Sequence, residues 1–115
     1  MTNNEVNKVI AEYMGEEYCK LPDNRSAIKF KIGNSQSVLK ENYYSNSLDA
    51  LVPVWEKARI SNVCQFDFNR IGDNYEFLIF QDRPDKDYGN SWHAKEHTLQ
   101  QAAAHATAKA IKDLT

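Results

Sequence analysis

The first periodic signal along the chain is helical. Val6, Val9, Ile10, Tyr13 and Met14 fall at i, i+3, i+4, i+7 and i+8, which places all five on one helix stripe. A short side-chain oxygen at Asn3 or Asn4 can accept from the unpaired first-turn amides. Gly15 can take the left-handed conformation that closes the last turn, so a helix is predicted over about residues 4–14. After the polar stretch through Leu21-Pro22-Asp23-Asn24 the period changes to two. Ala27-Ile28-Lys29-Phe30-Lys31-Ile32-Gly33 alternates apolar and charged residues, the pattern of a strand with one wet face. Val38 to Tyr44 fits neither period and reads as a short strand or an extended loop.

Helical spacing returns at Leu48, Leu51, Val52, Trp55 and Ala58, behind the capping run Ser45-Asn46-Ser47. Pro53 stands in its way, because an interior proline removes a hydrogen bond and clashes with the preceding turn. Either the helix kinks there or a short opening turn ends and the helix restarts with Pro53 near its first position. Val63 to Phe68 and Tyr75 to Phe80, separated by Asn69-Arg70-Ile71-Gly72-Asp73-Asn74, predict a β-hairpin with Phe66 and Phe68 on one face and Gln65 and Asp67 on the other. Residues 81–97 are polar and turn-rich and read as a long surface loop. Thr98-Leu99-Gln100-Gln101 is a capping-box pattern opening an alanine-rich helix to Leu114. Its stripe of Leu99, Ala103, Ala106, Ala110 and Leu114 is small in the middle and lets the helix approach its neighbours closely. The element order predicts an α+β fold, an α/β/α sandwich with a mainly antiparallel sheet of three or four strands and about three helices.

Composition narrows the class. At 115 residues, 42% hydrophobic and 26% charged, the chain is expected to form one domain, residues 1–115, with enough core to fold alone. A net charge of −2 gives no basic surface to neutralise phosphates, so nucleic acid is not favoured as a partner. The longest apolar runs span a few residues, far short of the roughly 20 that cross a bilayer, and the N-terminal residues lack the apolar core of a signal peptide. A cytoplasmic location without membrane contact is therefore expected. Cys19 and Cys64 lie apart with no CxxC and no neighbouring histidine, and are expected to be free thiols, with a single disulfide the alternative in an oxidising compartment.

Three stretches together resemble a known family. Helix one ending in Met14-Gly15, the run Tyr44-Ser45-Asn46-Ser47-Leu48-Asp49-Ala50-Leu51 leading to Trp55-Glu56-Lys57-Ala58, and the closing Thr98-Leu99-Gln100-Gln101-Ala102-Ala103-Ala104 resemble the phage ABA sandwich domain, a family of small bacteriophage and prophage domains. The match runs nearly the whole chain in order, over helix starts and packing positions. Two positions depart from it: Glu16 stands where the family has a bulky aromatic, and Pro53 interrupts the middle helix. The resemblance implies a small phage or prophage accessory protein in the host cytoplasm. Such a protein would be non-enzymatic, binding a host or phage protein or self-associating.

Candidate chemistry is sparse. His93 and His97 have the i, i+4 spacing of helical metal ligands, and with Glu96 they are the set a metal-dependent enzyme would use. Ala94, however, stands where the zinc-protease pattern needs glutamate, and both histidines precede the last helix, so no metal and no cofactor is expected. The acidic run Asp82 to Gly89 fails the calcium-loop pattern because Asn90 occupies the position that wants glycine. Cys64 in a strand without polar flanks reads as a core thiol, and no GxSxG or phosphate-binding glycine loop is present. Trp55 lies on an apolar stripe and is expected in the core. For a small ligand the candidates are Tyr44, Tyr88 and Trp92 as ring-stacking groups, with Ser45, Asn46 and Ser47 at a helix start as an anion site. This is the alternative function: binding or sequestering a nucleotide-like signalling molecule. The opposing expectation for these aromatics is that they fold back over the sheet edge.

Overall fold

A computed structural model describes residues 1–22, 26–32, 36–60, 64–81 and 91–114. In chain order these form α1 (Asn3–Tyr13), β1 (Glu17–Lys20), β2 (Ser26–Ile32), β3 (Gln36–Glu41), α2 (Leu48–Lys57), β4 (Cys64–Ile71), β5 (Asn74–Gln81), β6 (Ser91–Glu96) and α3 (Leu99–Leu114). The α+β class and three helices among the described residues are as the sequence indicates. The sheet differs from the expectation. It is two antiparallel three-stranded sheets, β1-β2-β3 and β4-β5-β6, where one sheet of three or four strands was expected. The two additional strands are β1, within a stretch without clear period, and β6, inside the segment expected to be loop.

Helix ends follow from capping chemistry. The cap of α1 is Thr2, one residue ahead of the expected asparagines, its hydroxyl accepting from the Glu5 amide at 3.2 Å. Gly15, at φ 73°, closes the helix as expected. The Glu16 amide bonds the Ala11 carbonyl at 2.8 Å and the Gly15 amide bonds Glu12 at 3.1 Å, the paired bonds of a Schellman motif. Ser47 caps α2 by accepting from the Ala50 amide at 3.3 Å. The helix then runs through Pro53 without a restart. Pro53 and Asp49 are both exposed, so the Asp49 carbonyl that loses its donor can take one from water. In α3 the Gln101 amide donates to the Thr98 hydroxyl at 3.1 Å, the hydroxyl half of the expected box.

The hairpin is longer and tighter than expected. Its strands reach Ile71 and Asn74, leaving only Gly72 and Asp73 in the turn, with Gly72 at φ 61°.

The core lies where α3 crosses the second sheet. Helix α3 packs on β5 and β6, α1 lies beside it and reaches β1 and β2, and α2 touches its side. Because neighbours surround it, burial spreads past the expected stripe to Ala102, Ala104, His105, Thr107, Ala108 and Ile111, while Leu114 is exposed. Val6, Ile10, Ile28, Leu51, Val54, Ile60 and Ile79 fill the remaining space without solvent exposure beyond 1%. Strand β6 shows how the second sheet is oriented. Trp92 and Ala94 turn toward the core, and Ser91, His93 and Lys95 are exposed. No helix among the described residues is long and apolar enough to cross a membrane.

Candidate functional site

The loop ahead of α2 is held by one buried side chain from α1. The Asn7 amide group donates to the Asn3 carbonyl at 2.7 Å and to the Ser45 hydroxyl at 3.1 Å, while its oxygen accepts from the Tyr44 and Ser45 amides at 2.9 and 3.4 Å. Ser45 in turn donates to the Asn42 carbonyl at 3.2 Å. Tyr44, only 1% exposed, lies in the core, and its hydroxyl donates to the Glu16 carboxylate at 2.5 Å. Burial, then the Glu16 hydrogen bond and charge, push this phenol well above its ordinary range. Glu16 is thus the partner of a buried tyrosine.

The ligand candidates therefore separate. Tyr44 and Ser45 are buried with their polar atoms engaged, Ser47 serves as the α2 cap, and Asn46 is exposed. Trp92 sits on β6 and is 5% exposed, which corrects its expected place in an open loop. Its indole donates to the Asp113 carboxylate at 2.5 Å and is anchored to the last turn of α3, whereas Tyr44 and Ser45 are anchored on α1. Tyr88 and the acidic run Asp82 to Gly89 lie outside the described residues. Among the described residues every buried side-chain nitrogen and oxygen has a hydrogen-bond partner.

The histidines are likewise dispersed. His93 is on β6 and His97 follows it, so extended backbone sets them about 13 Å apart, unlike neighbours on a helix. His105, which the sequence left unassigned, is the buried one. Its Nδ1 lies 3.3 Å from Glu96 and its Nε2 lies 2.7 Å from the Asn3 side-chain oxygen, tying α3 to the end of β6 and the start of α1. Burial lowers its pKa, opposed by the nearby Glu96 charge and reinforced by the N-terminus and Lys109. Among the described residues no three His, Cys, Asp or Glu side chains cluster as metal ligands would. Cys19 and Cys64 are free thiols, both half-buried, and burial pushes Cys64 upward.

Among the described residues, edge strand β3 exposes Val38 and Leu39, and the second sheet exposes a larger, aromatic surface at β4. Strand β4 ends its sheet among the described residues, paired with β5 alone, and every residue from Gln65 to Ile71 is exposed. Phe66 and Phe68 point to the same face as Phe77 and Ile79, as the alternation indicates. Trp55 from α2 reaches this face, 4.6 Å from Phe66 and 6.1 Å from Phe77 between ring centres. On the same face of β4, beyond that aromatic cluster, Phe68 is 60% exposed. The Phe68 amide donates to the Asp67 carboxylate at 2.9 Å, so it lies off the β4–β5 ladder and faces the free edge.

Sequence reasoning placed the two phenylalanines on one face and missed that Phe66 meets Trp55 of α2 while Phe68 is left mostly exposed. Strand order decides that, and a hairpin pattern does not reveal which strand ends the sheet. No protein-family model, curated protein or solved structure matches the chain, so the functional reading rests on this geometry.

Proposed function

We propose that the chain is a small, non-enzymatic accessory protein that acts by holding another protein, or a second copy of itself, against the free edge and aromatic face of β4. In the setting that the family resemblance implies, the partner is a host or phage protein in the host cytoplasm. The observation that carries the reading is Phe68, an aromatic side chain 60% exposed on an edge strand, whose own amide donates to the Asp67 carboxylate on the side away from β5. Monomeric proteins usually protect edges with charge, proline, bulges or a covering segment, because open strands recruit other strands. Among the described residues the protecting charges on β4 are Asp67 and Arg70, with no proline in the strand and no strand paired to its outer side.

A protein partner fits better than nucleic acid. The chain has a net charge of −2, and the polar face of β4 carries Asp67 beside Gln65 and Asn69.

Replacing Phe68 with a photo-crosslinking phenylalanine analogue in the full chain, in the cells that make it, tests the proposal. A discrete adduct is expected from position 68 and none from the same analogue at exposed Glu12 on α1. Absence of any adduct at position 68 would contradict the reading.

A further inference from the structure

We propose that the occupant of this edge is a second copy of the chain, joined β4 to β4 in antiparallel fashion about a two-fold axis through Phe68. The inference rests on the reading of β4 as an interaction edge and names its partner.

The hairpin decides which backbone groups are free. A two-residue turn makes Ile71 and Asn74 a hydrogen-bonded pair, so Asn69 and Asp67 also bond β5 while Phe66, Phe68 and Arg70 direct their amides and carbonyls outward. The Phe68 amide, taken by the Asp67 carboxylate, agrees with that assignment. A two-fold axis perpendicular to the sheet must keep each residue on its own face, so the centre falls on a residue and not between two. For β4 only two centres overlap nearly the full strand, Asp67 and Phe68.

Charge separates these two registers. Centring on Asp67 sets two carboxylates directly opposite each other, which is destabilising. Centring on Phe68 sets Asp67 against Asn69 of the second copy and Gln65 against its Ile71, with no like charges facing. On the aromatic face Phe68 meets its own counterpart, and Arg70 comes over Phe66 of the other copy. The Arg70 guanidinium already lies on this face, 6.0 Å from the Tyr75 ring centre, and an arginine over a second aromatic ring is a favourable contact. The axis keeps both helix layers on the same side of a six-stranded sheet, the side on which Trp55 packs against Phe66. Such an isologous contact closes on itself and uses up both β4 edges.

The register is tested by disulfide trapping on the exposed polar face, leaving both phenylalanines intact. In the full chain carrying Cys19→Ala and Cys64→Ala, two proteins are made, one with Asp67→Cys and one with Asn69→Cys. The Phe68-centred pairing places these positions opposite each other in a close pair, within disulfide reach, but separates each from its own counterpart beyond the roughly 7 Å that a disulfide spans. A mixture is expected to form a two-chain species under mild oxidation, with about tenfold less from either protein alone. Ready trapping of Asp67→Cys alone would overturn the Phe68 register, and so would no two-chain species in the mixture. Light scattering on the unsubstituted protein reads the same association without any cysteine. A heavier hetero-adduct at position 68 in cells, with no trapping between copies, would overturn self-pairing and leave the interaction edge standing. No adduct in either experiment would overturn both.

Discussion

Asn7 and Asp113 do comparable jobs at different depths. Asn7 has no solvent exposure and satisfies two backbone amides of the loop before α2, which has no regular ladder to satisfy them. Asn7→Ala leaves those amides buried without an acceptor and is expected to cost about 3 kcal/mol in urea unfolding. Asp113 carries a negative charge in the last turn of α3, where the helix dipole disfavours it, and the Trp92 indole explains its presence. Asp113→Ala unpairs one indole N–H near the surface and is expected to cost about 1 kcal/mol by the same measurement. Equal losses for the two variants would contradict this account of the polar network. Neither residue was legible as structural from the sequence. An asparagine inside a helical pattern reads as a polar surface position until the loop it bonds has been placed.

At the scale of elements, the packing of α3 makes the sharpest prediction. Ala106 is fully buried in a helix surrounded by β5, β6, α1 and α2. Ala106→Leu is expected to destabilise the protein by about 1–3 kcal/mol in thermal or urea unfolding. The same change at exposed Lys109 is expected to stay within about 0.5 kcal/mol. The helices were legible because several apolar residues in each repeat at helical spacing and Gly15, Ser47 and Thr98 mark ends. Strands β1 and β6 were not. Glu17-Tyr18-Cys19-Lys20 is too short to show a period, and β6 has only Trp92 and Ala94 on its buried face, the latter with little apolar surface. The division into two sheets was hidden for a related reason, since alternation tells which face of a strand is buried and not which strand lies beside it. The same blindness to strand order kept the β4 edge out of the candidate site. Tyr44 and Trp92 entered it because an aromatic beside polar residues looks exposed until Glu16 and Asp113 are seen as its partners.

Over the whole molecule, His105 joins three elements and gives stability a pH dependence. Its pKa lies below the ordinary 6.5 when folded, chiefly from burial, so the unfolded chain binds the proton more readily. The stabilisation is present above about pH 6.5 and is lost as the pH falls from there through the lowered folded value. The thermal midpoint should therefore drop on acidification below pH 6.5, and His105→Gln should flatten that part of the profile whatever its effect on the midpoint itself. Identical slopes in the two proteins would remove His105 from the explanation. Association is the other property of the whole molecule, and it decides the reading of β4. Phe68 is mostly exposed in the single chain, so Phe68→Asp should leave the fold intact while placing two carboxylates at the centre of the two-fold seam. The most direct measurement is the mass in solution by light scattering across a concentration series. A rise toward twice 13.2 kDa is expected for the unsubstituted chain and a constant 13.2 kDa for Phe68→Asp. A constant 13.2 kDa for both, or the same rise in both, would contradict pairing at β4.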